Sequence, residues 1–516
     1  MAPISILNDV LGPVMHGPSS SHTAGSYHIG RLARGLLGDE PAEATFVFDP
    51  GGSYAQVYRQ QGSDLGFVAG LLGWDIADER FPRALESAAA QGLAAIFAVE
   101  PLSEADHPNS VEIRLVSQAG RRLRVVAKSI GGGAVVLTRL NEWPVHLTGD
   151  AYEVLVEVEG VVADEVGRIL AAAGAALGAL EHQGQGDRVL LRMRRQVPLP
   201  AANQAELARL SGVRRIWTAG PVFFVLCGEP LFANAAAMVS LAAEGHASLG
   251  EVALAYEAQL LGLPQQEVLA EVVRRDAVMR AAVQRGLAGS LPPMQLLRPT
   301  ADAIFRAEAE GRVAVGGIHT RAAARAMAVM HVNGAMGVVC AAPTAGSAGV
   351  LPGVVVTLAE EWGLQEADAA LALLAAAAVG VIVATRATFA AEIAGCQVEI
   401  GAAGAMAAAA VVEVAGGTAR QAVDAAAISL QNTMGSICDL VQGIVEIPCH
   451  TRNAVAAASA FVCADLVLGG YANPVPLDET VDAVLAVGQM LPRELRCTAL
   501  GGLSLAPAAK RMPRLR

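Results

Sequence analysis

Lysine is almost missing from this chain of 516 residues. Two of its 37 basic residues are lysines, Lys128 and Lys510, and the other 35 are arginines. A pyridoxal-phosphate enzyme anchors its cofactor through a lysine Schiff base. Lys510 stands six residues from the end, and Lys128 lies in an alternating, strand-like run before Gly131-Gly132-Gly133. Neither position suits such an anchor, so pyridoxal phosphate is not expected. Basic clusters are lacking too. The net charge is −12, and without a basic patch nucleic acid is not an expected partner. The opening Met-Ala-Pro-Ile-Ser-Ile has no basic segment followed by an apolar run, so no signal peptide is expected. No two cysteines stand at CxxC distance, which argues against a zinc ribbon. Seven cysteines, an odd number, fit a reducing cytoplasm better than a disulfide framework.

What the chain does have is apolar residues, 53% of the total, with a mean hydropathy of +0.43. Much of this is Ala and Gly, which let helices pack closely but drive membrane insertion weakly. The longest apolar run, Ala369 to Thr385, is mostly Ala and ends at Arg386. It is marginal in length for a bilayer crossing and reads as a buried helix. No membrane association is expected.

The length allows two to four domains, and the pattern suggests three in an α+β multidomain chain. Residues 1–148 read as an α/β domain. Ser110 to Ala127 alternates with period two and breaks at Gln118-Ala119-Gly120, a hairpin signal. Ala44 to Asp49 reads as a further strand before the turn Pro50-Gly51-Gly52. Residues 149–226 follow a β-α-β-β-α-β order, with strands near 152–158, 179–183, 188–193 and 213–217 and helices from 160 to 170 and from 201 to 210. That order is ferredoxin-like. It resembles an ACT regulatory module, a resemblance that implies a free amino acid as effector. Residues 229–516 read as almost entirely helical. Phe232 to Leu261 and Gln266 to Leu287 are amphipathic, and Ala-rich stretches follow with so little charge that their helices must be buried on most sides. No heptad is sustained, so a globular helical domain is expected.

Three segments carry chemistry. Cys396, Cys438 and Cys449 are spaced by 42 and 11 residues in a region otherwise built of Ala, Gly and Val. Three thiolates gathered by a fold suit a four-iron cluster with one iron left free of a protein ligand, and such an iron can act as a Lewis acid. The plainer alternative is three unrelated buried thiols. The second segment, Gly17 to Gly25, packs Ser19, Ser20, Ser21, His22 and Thr23 between glycines. Its hydroxyls and backbone N–H groups can hold a carboxylate, and His22 can accept a proton near neutral pH. The alternative is a polar turn capping a helix that starts near Ser26. The third segment, Cys340 to Gly349, is a loop of small residues that would let backbone approach a ligand closely. Alone it reads equally as a helix–helix connection.

Together these segments, with Cys438-Asp-Leu-Val-Gln-Gly-Ile-Val-Glu-Ile-Pro-Cys-His-Thr-Arg-Asn453, resemble the iron–sulfur-dependent L-serine dehydratases, also called L-serine ammonia-lyases. The resemblance extends along the whole chain and implies a β part, an ACT module and an α part fused in one polypeptide. It implies a 4Fe-4S cluster held by Cys396, Cys438 and Cys449. It implies His22 as base, with Ser19, Ser20, Ser21, Thr23 and Thr344 lining the substrate pocket. Asn432, Arg452 and Asn453 fall in matching segments, and Asn432 and Arg452 are expected at the substrate. It further implies a cytoplasmic homodimeric lyase of amino-acid degradation and gluconeogenesis that releases pyruvate and ammonia. Three departures bear on the substrate. Leu440 follows Asp439 where the family has proline; Gly289 to Met294 lacks a glycine pair; Cys497 adds a thiol near the end, and some relatives place a terminal cysteine on the open iron. Two other outcomes stay open: β-elimination on another small hydroxy or thiol amino acid, or a catalytically altered relative that senses an amino acid.

Overall fold

The structure, a computed structural model, describes residues 3–514. Met1 and Ala2, where the stretch read for a signal segment begins, lie outside the described residues. An N-terminal sheet region is followed by a small four-stranded unit and a large helical body.

The first sheet has six strands in the order β3-β2-β4-β5-β6-β7: β2 (Pro41–Phe48), β3 (Ala94–Val99), β4 (Ser110–Ser117), β5 (Arg122–Gly131), β6 (Ala134–Leu140) and β7 (Trp143–Leu147). The hairpin expected across Gln118–Gly120 is present, with Val111 opposite Ala127 and Leu115 opposite Leu123. Alternation puts Val111, Ile113 and Leu115 in the core with Phe46, Phe48 and Phe67. The helix Gly25–Leu37 covers this face through Ile29, Leu32, Ala33 and Leu36. Its spacing of one apolar residue every three to four is what turns a single stripe toward the sheet.

The second sheet has the order β11-β8-β10-β9, with β8 (Tyr152–Glu159), β9 (Glu181–Gln185), β10 (Arg188–Arg195) and β11 (Val213–Ala219), all neighbours antiparallel. With the helices Ala163–Ala172 and Ala201–Arg209 on one face, this is the ferredoxin-like topology. Its own small core is Val154, Val156, Val158, Val166, Leu170, Leu191 and Leu207. The other face carries a buried ion pair, Arg192 Nη2 to Glu153 Oε1 at 2.8 Å.

The helical body is built around Glu366–Arg386, whose residues Ala369, Ala370 and Leu373 to Val383 are buried between neighbouring helices, among them Leu249–Leu261, Gln265–Leu287 and Ile400–Val414. Small side chains permit that approach. Glu366–Arg386, the 396–414 stretch and Cys449–Leu468 are long and apolar enough to cross a membrane by length and composition; the first two are mostly buried inside the protein and the third by half. The stretch read as one amphipathic run from Phe232 breaks into Ala235–Gly245 and Leu249–Leu261. His246 takes a left-handed conformation, and Ser248 with Glu251 forms a capping box that starts the second helix.

Two long-range features were not expected. Residues 6–11 do not join the sheet. A π-helical turn, Ile6–Val10, inserts Ile6, Leu7, Val10 and Leu11 into the helical core. The buried carboxylate of Glu257 accepts from Ser5 Oγ, Ile6 N and Leu7 N at 2.5, 2.7 and 2.9 Å, and Arg275 donates to Leu7 O at 2.6 Å. Then β1 (Val14–His16) pairs antiparallel with β12 (Val338–Cys340), Met15 opposite Val339. This ribbon leaves one strand inside the body read as all-helical, and it brings the Ser19–Thr23 loop to the Cys340–Gly349 loop.

Candidate active site

The Ser19–Thr23 loop is a helix start of unusual pitch. Ser20–Ala24 forms a π-helical turn that runs directly into Gly25–Leu37, and Ser19 Oγ caps it by accepting from His22 N. Single π turns recur at functional sites because they push one side chain off the regular helical face. His22 lies in this turn. Its Nδ1 lies 3.1 Å from Ser21 Oγ and 3.3 Å from Ser19 Oγ, and its Nε2 lies 2.9 Å from Ser53 Oγ. The Tyr54 ring stands edge-on at 5.4 Å. Burial lowers the His22 pKa to about 3. With hydroxyls but, among the described residues, no carboxylate touching it, the ring is neutral at pH 7, with one nitrogen unprotonated.

The partner loop is pinned from several sides. Asn333 Nδ2 donates to both Pro18 O and Ala345 O, at 3.0 and 3.2 Å. Asn453 accepts from Gly349 N and donates to Gly346 O and Cys449 O. Thr344 and Ser347 cap the short turn Ala345–Ser347 between them.

Cys396, Cys438 and Cys449 are buried and line one cavity together with Ser19, Ser20, Ser21 and His22. Each sits at a break in regular structure. Cys396 opens a tight turn after Gly395, whose φ is +76° and where an added Cβ would press on Ser436 O at 2.7 Å. Cys438 lies in an extended segment. Cys449 is the first residue of Cys449–Leu468, where the positive end of the helix favours a thiolate. Burial pushes the Cys396 thiol up to about 12 and Cys449 well above the ordinary range; Cys438 is raised first by its hydrogen bond to Cys497 and then by burial. Opposing this, the Arg452 guanidinium lies near Cys396 and donates to Asp439 Oδ1 and Ile437 O, both at 2.9 Å.

A fourth thiol reaches the same cavity. Cys497 N donates to Cys438 O, Cys438 N donates to Leu495 O, and the Cys497 side chain meets that of Cys438. Cys340, by contrast, points at Leu11 O and stays off the cavity. Among the described residues no three His, Cys, Asp or Glu side chains converge on one point as a single metal ion would need. A four-iron cluster takes one thiolate per iron, so its ligands stand apart around a larger group. Three or four thiols about one cavity, with a guanidinium and a helix N-terminus beside them, match that donor chemistry and the negative charge it carries.

Not every residue singled out in the sequence faces the cavity. Thr23 Oγ1 donates to Gln61 O at 2.8 Å and serves to hold the 53–63 segment. Thr344 stands behind Gly346, in hydrogen-bond contact with Glu399. Asn432 donates to Ile428 O of its own helix. Arg452 stands behind the cysteines. Residues that sequence reasoning passed over do face it: Gln61, the turn glycines Gly131 and Gly132, Glu392 and Glu399. Burial, then the charge of Glu392, raises the Glu399 pKa to about 8 against the Thr344 hydrogen bond. Ser53, too, was missed as the partner of Nε2. The turn Pro50-Gly51-Gly52 marks its place but says nothing of what it faces. Lys128 pairs with Asp106, and neither lysine lines the cavity.

Comparison with known proteins places this geometry. A family model described as "Serine dehydratase alpha chain" matches residues 204–504. The "Probable L-serine dehydratase, alpha chain" of Bacillus subtilis is 36% identical over 282 residues, 55% of this chain and 94% of the relative. The "L-serine dehydratase, alpha chain" of Peptoniphilus asaccharolyticus is 37% identical over 238 residues, 46% of this chain and 82% of the relative. A separate protein of B. subtilis, the "Probable L-serine dehydratase, beta chain", is 42% identical over 148 residues, 29% of this chain and 66% of the relative. One polypeptide thus matches both an α chain and a β chain, and with more than half its length under the α-chain model it belongs to the serine dehydratase family.

Proposed function

We propose that this chain is an L-serine dehydratase, a lyase that converts L-serine to pyruvate and ammonia. The observation that carries the reading is that His22 and three cysteines more than 370 positions away line one cavity. Cys396, Cys438 and Cys449 would hold a 4Fe-4S cluster, and Cys497 stands where a fourth thiol can compete for the remaining position. When bound, such a cluster supplies a Lewis acid for the leaving β-hydroxyl.

The chain's own residues do the rest. Ser19, Ser20 and Ser21 offer hydroxyls for the substrate carboxylate. His22, neutral and held by three serine hydroxyls, takes the α-proton. Glu399 and Glu392 are the carboxyls in the cavity; Glu399, held mostly protonated by burial, gives up its proton as the α-ammonium group arrives and holds that group as a carboxylate. Loss of the α-proton and the β-hydroxyl, with the proton leaving as water, gives aminoacrylate. Its imine tautomer then takes up water and releases ammonia and pyruvate, so atoms balance. Thr23, Thr344, Asn432, Arg452 and Asn453 act by positioning. Just beyond the Gly289–Met294 segment, Glu446 accepts from the N–H groups of Gln295, Leu296 and Leu297 at 2.7–2.9 Å.

We assign residues 1–148 to a β-type domain, 149–226 to an ACT-like module that takes an amino-acid effector, and 229–516 to the α-type domain. Seven unpaired cysteines support a reducing cytoplasmic setting. The exposed Val455, Val462 and Leu466 on one face of Cys449–Leu468 support a homodimer. Anaerobic protein should carry about four irons per chain and release pyruvate from L-serine. Cys396→Ser, Cys438→Ser and Cys449→Ser should each lose the iron, whereas Cys227→Ser and Cys463→Ser keep it. Full iron content in Cys438→Ser would refute the ligand set. An intact cluster with product from a different amino acid and none from L-serine would move the reaction to that substrate.

A further inference from the structure

Arginines gather at one seam of this acidic chain. Arg121 and Arg122 stand exposed on the β4–β5 hairpin, and Arg214 and Arg215 on β11 of the four-stranded sheet. They rim a groove of about 670 Å³ whose apolar lining includes Leu36, Leu123 and Trp217. Such a volume is that of a small-molecule site.

The charges on this rim are poorly balanced. Arg214 pairs with Glu159 at 3.3 Å and with Asp187 at 3.8 Å. Arg121 reaches Gly38 O only at 3.5 Å, with Asp39 nearby. Glu142 feels Arg215 but is held by Arg188. The guanidinium groups of Arg122 and Arg215 make no hydrogen bond or ion pair among the described residues. Like charges with too few counter-charges repel, and a guanidinium's planar fork matches carboxylate and phosphate oxygens. The apolar floor asks for a carbon skeleton beneath those oxygens.

We propose that this groove binds a small organic polyanion, a phosphate ester or a di- or tricarboxylate. Its occupant touches two units at once, because the rim comes from both sheets and the floor from the last turn of Gly25–Leu37. That helix is tightly seated on β11: a Cβ at Gly35 would lie 3.2 Å from Ala219 Cα. The same helix begins three residues after His22, so the groove lies one helix length from the catalytic loop. The site is distinct from the cysteine-lined cavity and does not depend on the identity of its substrate.

The test is calorimetric titration of the full-length, anaerobically purified protein. The probes are inorganic pyrophosphate and, separately, citrate, each against KCl of matched ionic strength. One or both should bind saturably with one site per chain and a Kd of ~1 mM or tighter. Binding of citrate alone marks a polycarboxylate site, and binding of pyrophosphate alone a phosphate site. Arg122→Gln/Arg215→Gln should weaken the binding about tenfold or more while leaving iron content and turnover without the probe unchanged; Arg122→Gln alone should weaken it less. A response to neither probe beyond the KCl control would overturn the proposal, as would undiminished binding in the double variant.

Discussion

Replacing His22 by Ala tests the site most directly. The structure holds this ring through three hydroxyls, at 3.1 and 3.3 Å on Nδ1 and 2.9 Å on Nε2, and burial lowers its pKa to about 3. An ordinary imidazole with pKa 6.5 would be about one-quarter protonated at pH 7; at pKa 3 the fraction is roughly one in ten thousand. The free base is therefore fully available throughout the neutral range. Two outcomes follow. Loss of a general base costs about a hundredfold or more in turnover, equal to ~2.7 kcal/mol of barrier, so His22→Ala should fall by that much while keeping wild-type iron content. The pH profile of kcat/KM, which reports the free enzyme, should show no acid limb near pH 6.5 that depends on His22. Ser53→Ala removes only the Nε2 partner, and its loss should be smaller, about tenfold. The assay is anaerobic pyruvate release from pH 5.5 to 9, with iron measured on the same samples. Activity of His22→Ala within a few-fold of wild type would refute the role of base. An acid limb at 6.5 that disappears in the variant would refute the claim that the ring is held neutral.

Glu399→Gln should keep the iron and raise KM for L-serine by about tenfold or more, because the carboxylate that forms on Glu399 as the ammonium arrives cannot form on a neutral amide; an unchanged KM removes Glu399 from substrate binding. Gly380→Ala places a Cβ 2.3 Å from Val10 Cγ1, and overpacking of this kind costs about 1–3 kcal/mol, to be read as a lower unfolding midpoint with the N-terminal turn loosened. Arg192→Met leaves the buried Glu153 carboxylate only the more distant Arg194, at 3.8 Å, and should destabilise by up to about 3–5 kcal/mol, whereas Arg192→Met/Glu153→Met should recover much of the loss in urea unfolding; equal losses would show the pair is not coupled. Burial lowers the His28 pKa to about 4, so between pH 6.5 and 4 the unfolded chain takes up a proton that the folded chain refuses. Stability should therefore drop as pH falls through that window, by about 1.4 kcal/mol per unit, and His28→Gln should flatten the slope; parallel pH curves for the two proteins would count against it.

The sequence by itself determined the local elements and the identity of the reactive groups. Period-two alternation in Ser110–Ala127 gave a hairpin in the register seen, since alternation and a glycine turn leave one pairing that buries Val111, Ile113 and Leu115 together. The β-α-β-β-α-β order of 149–226 implied the sheet order later found, because short connections and right-handed crossovers admit few topologies. The long Ala-rich run between Glu366 and Arg386 could be read as buried because nothing in it suits water. Cys396, Cys438, Cys449 and His22 stood out because reactive side chains are conspicuous among Ala, Gly and Ser. Only the tertiary structure decided which groups meet. Val14–His16 pairs with Val338–Cys340 across more than 300 residues, and a three-residue strand carries no signal of its partner. Ile6 to Leu11 pack among helices, although nothing in their spacing distinguishes that from packing on the nearer sheet. Glu399 and Cys497 enter the cavity and Ser53 reaches His22, while Thr23 and Asn432 turn away from it, through backbone directions set by distant contacts such as Cys497 with Cys438. Periodicity records which face of an element is buried, and the partner buried against it is fixed only when the whole chain closes around its core.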